Sequence, residues 1–120
     1  MSKIAITILQ EGEGLQAPLD GRFGRAFAFL IVDSDSGEVV KTIENTGAQA
    51  AHGAGTGAAS LVKSAGVDAV ISGRFGPKAF EALQALQIET WIAPAGINAG
   101  EALKRFREGK LEKMQMQVFR

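Results

Sequence analysis

Three strand-like segments precede a regular alternation of helix and strand, and this order restricts the fold more than any other feature of the sequence. Residues 3–9 and 26–32 are nearly continuous apolar runs, which are typical of strands covered on both faces. Residues 39–44 follow a turn at 33–37 and have the alternation of a strand. We therefore expect the third strand to pair with the second in a hairpin, nearer to an edge of the sheet.

The second half of the chain predicts helices that alternate with strands. Apolar side chains recur at helical spacing over residues 58–65, 79–86 and 99–106. Short apolar runs at 67–72 and 88–93 lie between these segments and are interpreted as strands. The predicted order of elements is therefore βββαβαβα.

Residues that start or stop helices stand where this pattern requires them. Gly66 and Gly109 are placed to end the first and third helices, because glycine readily adopts the left-handed conformation beyond a helix C-terminus. Pro77 suits the first position of the second helix. Asn98 and Glu101 have the spacing of a capping box at the start of the third helix.

The fold class that follows is α/β. Strand–helix–strand connections demand parallel crossovers, whereas the hairpin makes one strand antiparallel. We therefore predict a five-stranded mixed sheet in the order 3-2-1-4-5 with helices on both faces, the ribonuclease H-like arrangement. Residues 1–109 are interpreted as one domain.

The C-terminal tail, residues 110–120, places Met114, Met116 and Val118 on one side of an extended segment. We interpret it as an added edge strand or a dimer contact, in preference to a set of Met ligands for a soft metal such as Cu(I). The predicted oligomeric state is accordingly a monomer or a weak homodimer.

Composition excludes much catalytic chemistry. The chain has 120 residues, which is the length of one ordinary domain, and no cysteine, which excludes disulfides, thiolate zinc sites, cysteine nucleophiles and cysteine-ligated iron–sulfur clusters. With one histidine and no tyrosine, a general base for neutral pH is scarce. We therefore do not expect an enzyme.

Charge and hydropathy restrict the partners. Thirteen basic residues balance thirteen acidic ones, so no overall field attracts nucleic acid or an anionic membrane. The longest apolar run, 26–32, is far shorter than the roughly 20 residues that span a bilayer, and the N-terminus lacks the pattern of a secretory signal. The sequence thus predicts a cytoplasmic protein whose charged function is local.

The tetrapeptide Gly-Arg-Phe-Gly occurs twice, at residues 21–24 and 73–76. Each copy offers a guanidinium group, an aromatic face, and glycines that allow the backbone to approach a ligand. After the second copy, Pro77 opens a helix whose N-terminus favours negative charge, and Lys78 adds a donor. The pattern favours a site for a bulky anion, and the alternative is that Arg and Phe only hold the two loops together.

A second glycine-rich stretch precedes the first helix. Gly53, Gly55 and Ala58 match G-x-G-x-x-A, but the preceding strand ends several residues earlier and no acidic residue follows at the distance that the dinucleotide fingerprint requires. What remains is a set of backbone N–H groups that converge at a helix N-terminus. His52 stands beside them and is interpreted as a capping residue, a metal ligand or a hydrogen-bond donor to a ligand.

The predicted topology gathers these features at one edge of the sheet. The loops at 10–25, 45–57, 73–78 and 94–98 emerge there, at the position where α/β proteins bind ligands. A locally positive cleft results. The candidate binding residues are Arg22, Phe23, Gly24, Arg25, His52, Gly53, Gly55, Gly73, Arg74, Phe75, Gly76 and Lys78, with His52 as the candidate metal ligand.

Three motifs in this order and spacing resemble those of a known family: Phe23-Gly24-Arg25-Ala26, His52-Gly53-x-Gly55, and Ser-Gly-Arg-Phe-Gly-Pro-Lys-Ala-Phe at 72–80. Over roughly residues 3–108 the chain resembles the dinitrogenase iron-molybdenum cofactor biosynthesis family, small accessory proteins that carry or store metal–sulfur clusters. The resemblance implies a ribonuclease H-like fold, no catalytic turnover, and non-covalent binding of an anionic cluster by these loops.

One departure from the family selects among its branches. The family often has His immediately before Phe-Gly-Arg, whereas this chain has Arg22. That difference argues against transfer of the nitrogenase cofactor. The absence of cysteine and the arginines of the predicted cleft favour resemblance to the orange proteins of sulfate-reducing bacteria, which implies a molybdenum–copper sulfide cluster bound without covalent attachment. The resemblance also implies a MinD-like ATPase as a partner.

The hypothesis from the sequence is a carrier of an anionic metal–sulfur cluster. Charge-assisted contacts are expected from Arg22, Arg25, Arg74 and Lys78, and apolar cover from Phe23 and Phe75. Two alternatives stay open: a phosphate- or nucleotide-binding regulatory domain that uses the same loops, and an interaction module that recruits a partner through its tail or an open sheet edge.

Overall fold

One mixed sheet organises the chain in the computed structural model, which describes residues 2–48 and 53–114. The strands in this part of the chain are β1 (Lys3–Ile8), β2 (Ala28–Asp33), β3 (Val39–Glu44), β4 (Ala69–Ser72), β5 (Glu89–Ile92) and β6 (Glu112–Lys113). The helices are α1 (Ala54–Ser64), α2 (Pro77–Ala85) and α3 (Ala99–Arg107). His52, Met116 and Val118, for which the sequence makes predictions, lie outside the described residues.

The sheet has the order β3-β2-β1-β4-β5-β6. β1 pairs parallel with β4 and β4 parallel with β5, whereas β2 is antiparallel to both β1 and β3. The predicted α/β class, mixed sheet and strand order are confirmed. The sheet has one strand more than the predicted five, because β6 extends it by antiparallel pairing with β5.

Two apolar layers cover the sheet on opposite faces. On one face, α1 and α2 pack through Ala58, Val62 and Leu83 against Phe29 and Val70. On the other face, α3 packs against a second cluster of buried strand residues. Its members include Ile4, Ile6, Leu30, Ile71, Ala102 and Leu103. The nearly continuous apolar runs of β1 and β2 follow from this arrangement, since their side chains are buried on both faces.

The helix boundaries lie close to those that the start and stop residues indicate. Pro77 is the first residue of α2, and Gly66 and Gly109 have φ angles of +79° and +71° just beyond α1 and α3. Asn98 Oδ1 accepts a hydrogen bond from the Glu101 backbone N–H at 2.8 Å, which is one half of the predicted capping box, whereas the Glu101 carboxylate accepts from Arg105 Nε at 2.8 Å. In the part of the chain that the structure describes, no helix is long and apolar enough to cross a membrane.

The bounds of one strand differ from the prediction, whereas the predicted edge strand is confirmed. β3 forms an edge and is largely exposed, as expected. β2 starts at Ala28, two residues after the start of the apolar run, because residues 26 and 27 belong to the loop that enters the strand. It ends at Asp33, one residue after the end of that run. Leu111 is buried in the cluster beneath α3, so the first residues of the tail are part of the packed structure.

Candidate functional site

A basic cleft opens where the loop before β2 meets the N-termini of α1 and α2. It has a volume of about 420 Å³. Most of the candidate residues line it, together with Ala54, Pro77 and Ala79. The predicted residues in the lining are Arg22, Phe23, Gly24, Arg25, Gly53, Gly55, Arg74, Gly76 and Lys78.

The two Gly-Arg-Phe-Gly copies contact each other. A Cβ atom on Gly73 would lie 2.7 Å from Gly21 Cα, so only glycine at this position allows the two loops to approach so closely. The Phe23 backbone N–H donates a hydrogen bond to the Arg74 carbonyl at 3.2 Å. The repeated motif therefore forms a paired support in which equivalent residues of the copies meet.

The phenylalanine rings of both copies lie in the core. Phe23 is 1% exposed and Phe75 7%, and their ring centroids are 5.3 Å apart. Phe23 also contacts Phe29 of β2, with centroids 5.6 Å apart. The two rings pack on each other, Phe23 also packs on β2 and lines the cleft, and apolar cover of a ligand by these residues stays a prediction. Both rings belong to the core cluster under α1 and α2, and they anchor the two Gly-Arg-Phe-Gly loops to it.

Close glycine contacts join the loop before β2 to α1, and α1 to α2. A Cβ on Gly24 would lie 3.0 Å from Gly55 Cα, and a Cβ on Gly55 would lie 2.9 Å from Ala79 Cβ. Gly24 and Gly55 thus bring the loop, the first turn of α1 and the first turn of α2 into direct contact. Their lack of side chains serves this packing, whereas around Gly76 nothing lies within 4 Å of an added Cβ.

Two helix N-termini face the cleft without side-chain caps. The N-cap residues are Gly53 for α1 and Gly76 for α2, and neither helix has an acidic residue in its first turn. The first N–H groups of an α-helix have no partner within the helix, and the helix dipole adds partial positive charge there. Both ends therefore favour an anion in the cleft.

The charged side chains of the lining are all basic: Arg22, Arg25, Arg74 and Lys78. Within the described residues, Arg74 and Lys78 have no carboxylate within 4.0 Å. Arg25 Nη1 donates to the Ala48 carbonyl at 2.9 Å, which fixes this side chain toward the end of the loop before α1. A neutral chain thus concentrates positive charge at one place.

Asp20 organises the first loop and was not among the candidate residues. Its carboxylate is 1% exposed; Oδ1 accepts from the Arg22 backbone N–H at 3.0 Å and from Arg22 Nε at 3.3 Å, and Oδ2 accepts from the Phe27 N–H at 3.2 Å. The Asp20 carbonyl in turn accepts from Thr7 Oγ1 at 2.6 Å. An Asp two residues before the N–H that it binds is the signature of an Asx turn, which is the sequence signal for this role.

Asn45 ties down the end of the same loop. Its buried amide donates through Nδ2 to the carbonyls of Gly24 at 3.1 Å and Ala26 at 2.9 Å. Asp20 and Asn45 therefore hold the backbone on either side of Arg25. Sequence patterns alone do not show this contact, because it joins segments that are 19 to 21 residues apart.

The loop at 94–98 lies at the same edge of the sheet but does not line the cleft. The Leu19 N–H donates to the Ile97 carbonyl at 3.0 Å, and Pro18 and Asn98 form an isolated bridge. This loop pairs instead with residues 17–19 and is not part of the cleft lining. Gly73 and Phe75 support the cleft without lining it, and His52 is outside the described residues.

Inner-sphere metal ligands are scarce around the cleft. Across residues 2–48 and 53–114, no three His, Cys, Asp or Glu side chains come together in a group that could hold a metal ion. The donors that the cleft does present are guanidinium, ammonium and backbone N–H groups. These groups bind the outer surface of an anion through charge-assisted hydrogen bonds.

The chain shares its fold and sequence with proteins from several organisms. It is 34% identical to the orange protein of Desulfovibrio gigas, whose structure in the apo form superposes with a TM-score of 0.88 over 95% of this chain and 93% of that one. A Thermotoga protein of the DUF35 family, solved by NMR, is also 34% identical, with a TM-score of 0.82 over 99% and 98% of the two chains.

A curated relative and a family profile agree with these structures. The uncharacterized protein MJ0580 of Methanocaldococcus jannaschii is 40% identical over 99 residues, which cover 81% of this chain and 83% of the relative. The profile described as dinitrogenase iron-molybdenum cofactor matches residues 2–109, and this range includes every described residue of the basic cleft. The chain belongs to the dinitrogenase iron-molybdenum cofactor family.

Proposed function

We propose that this protein is a non-catalytic carrier that binds an anionic metal–sulfur cluster in the basic cleft. Membership of the dinitrogenase iron-molybdenum cofactor family supports cargo of this class. The fold similarity to the orange protein supports the same role. In this role the cluster is the cargo of the protein.

The observation on which the proposal depends is the charge of the cleft. Four basic side chains and two uncapped helix N-termini surround about 420 Å³ in a chain with a net charge of zero. The Asp20 carboxylate pairs with Arg22, whereas Arg74 and Lys78 have no carboxylate within 4.0 Å among the described residues. Positive charge is therefore in excess in the empty cleft, and the like charges repel one another. A multiply charged anion removes that repulsion and gains hydrogen bonds from several directions.

The type of donor fits a preformed cluster better than single metal ions. Sulfide and thiometallate surfaces accept hydrogen bonds, and N–H donors are what the described residues of the cleft provide. The cluster keeps its own metal–sulfur bonds, and the protein surrounds it without forming new ones. Within the family, the resemblance to orange proteins favours a molybdenum–copper sulfide as the cargo.

Titration with tetrathiomolybdate and Cu(I) tests the proposal. Protein is mixed anaerobically with both reagents, separated from free reagent by gel filtration, and measured by visible absorption and metal analysis. We expect the colour to elute with the protein, with molybdenum and copper at a constant ratio. A parallel titration with inorganic phosphate and ATP tests the alternative ligand class; binding of either, with no retained colour, would contradict the proposal.

A further inference from the structure

We infer that Asp20 is a positioning residue for cargo binding: its carboxylate holds the loop 20–27 in the conformation that places Arg22 at the cleft. The inference rests on the proposed function for its binding test, and on the structure alone for its test of loop conformation. Asp20 touches no cargo in this account and acts through the backbone and through Arg22.

The contacts of Asp20 divide between its two oxygens. Oδ1 accepts from the backbone N–H and the Nε of Arg22, and Oδ2 accepts from the backbone N–H of Phe27. The loop is thus closed at both ends by a single side chain. The residues between them include Gly24 and Arg25, which also line the cleft.

The backbone of Asp20 is anchored as firmly as its side chain. Its N–H donates to the Thr7 carbonyl at 2.9 Å, and its carbonyl accepts from the hydroxyl groups of Thr7 at 2.6 Å and Ser72 at 3.4 Å. Thr7 and Ser72 belong to the central strands β1 and β4 and are fully buried. Asp20 therefore anchors the loop to the two central strands.

The chemistry requires a carboxylate rather than an amide. Each oxygen of Asp20 faces at least one N–H donor, so both must be acceptors. Asparagine at this position presents one oxygen and one NH₂ group, and the NH₂ group then faces a backbone N–H. One end of the loop loses its hydrogen bond, and two donors are placed against each other.

The sign of the effect separates positioning from simple electrostatics. Asp20→Asn removes a negative charge next to Arg22, so a model based on net charge alone predicts tighter binding of an anion. The positioning role predicts weaker binding, because Arg22 and the loop backbone lose their fixed geometry. We expect the dissociation constant for tetrathiomolybdate to rise about tenfold in Asp20→Asn, the size of effect that loss of a charged hydrogen bond produces.

Asp33→Asn is the matched control. Asp33 Oδ1 accepts hydrogen bonds from the backbone N–H groups of Asp35 and Ser36, so this carboxylate also closes a turn. It stands at the end of β2 opposite to the cleft. The same substitution there is expected to lower stability without changing the affinity for tetrathiomolybdate.

Amide hydrogen exchange tests the loop conformation without any cargo. In the unmodified protein we expect the N–H groups of Arg22 and Phe27 to exchange at least about tenfold more slowly than unstructured amides, and in Asp20→Asn we expect at least one to lose this protection. The exchange measurement remains a test of the role of Asp20 even if the wild-type protein binds no thiomolybdate. Absence of binding would overturn the proposed function and leave the loop conformation to be judged by exchange. Unprotected amides in the wild-type protein, or unchanged or tighter binding by folded Asp20→Asn, would overturn the role of Asp20.

Discussion

Gly73 lies against Gly21 so closely that a Cβ atom on Gly73 would come within 2.7 Å of the Gly21 Cα and 2.9 Å of its carbonyl oxygen. Both atoms belong to the backbone, so neither can turn aside. The contact joins the two Gly-Arg-Phe-Gly loops at the base of the cleft. The position of Arg22 relative to Arg74 therefore depends on the absence of a side chain at Gly73.

Gly73→Ala should destabilise the protein, because the two loops must separate to admit the methyl group. We expect a loss of about 2–3 kcal/mol in the free energy of unfolding, within the range for overpacked sites. Chemical denaturation measures it. Gly57→Ala is the control: it lies within α1 with nothing within 4 Å of an added Cβ, and we expect a gain of about 0.5–1 kcal/mol from reduced backbone entropy. A neutral Gly73→Ala would contradict the packing account.

Deleting residues 110–120 should lower stability but leave cargo binding intact. The deletion removes β6 and the buried Leu111, and we expect a loss of about 2 kcal/mol from the apolar burial of that side chain. The residues that line the cleft all lie between positions 22 and 79, so no residue of the tail is part of the lining. Denaturation and thiomolybdate titration of the truncated protein measure the two effects. Lost binding in a folded truncation would favour the tail as the functional surface.

The stability of the hairpin between β2 and β3 should depend on pH. Hydrogen bonds from the backbone N–H groups of Ser36 and Asp35 lower the pKa of Asp33 below its usual value of 3.8. A pKa that is lower in the folded state gives stability that is present above 3.8 and lost as the pH falls through the folded value. Denaturation of the wild-type protein and Asp33→Asn between about pH 2 and pH 6 should show a smaller decline in the variant. Equal declines would exclude this contribution.

His52→Ala should weaken retention of the cluster and leave its colour unchanged. The reason is chemical: the chain has one histidine and no cysteine to complete a coordination sphere, so an imidazole is expected to donate a hydrogen bond to the cluster surface. The affinity should fall by about 0.5–1.5 kcal/mol, which is the usual range for one such bond. Titration followed by visible spectra and metal analysis distinguishes the roles. A changed spectrum with lost copper or iron would instead indicate direct ligation.

Most of the fold could be predicted from periodicity. β1 and β2 are buried on both faces, so their apolar runs are nearly continuous, and two of the helices carry clear stop signals at Gly66 and Gly109. β6 could not be predicted with the same clarity, because a strand of two residues is too short to show alternation. Its pairing depends on tertiary contacts with β5.

The cleft was predictable to the extent that it follows from topology and charge. Parallel strands and a reversed β2 bring Arg22 and Arg74 to one edge of the sheet, and a sequence can indicate that much. The burial of Phe23 and Phe75 could not be predicted, because a motif does not show which of its side chains turn into the core. The role of Asp20 depends on two hydrogen bonds at distances that only the folded loop defines.

Paired charge variants test whether the basic side chains of the cleft bind an anionic metal–sulfur cluster. Arg74→Gln with Lys78→Gln removes two charges from the cleft; Lys41→Gln with Lys104→Gln removes two from β3 and α3. We measure the dissociation constant for the cluster formed from tetrathiomolybdate and Cu(I), together with the free energy of unfolding.

We expect at least about a tenfold rise in the dissociation constant for the cleft variant and little change for the control, since charged hydrogen bonds contribute about 1.5–3 kcal/mol each. Both variants should retain the stability of the wild type within about 0.5 kcal/mol per substitution, because exposed charges contribute little to folding. Equal losses of affinity in the two variants would mean that net charge alone attracts the cluster. Unchanged affinity in the cleft variant would show that Arg74 and Lys78 do not bind the cluster.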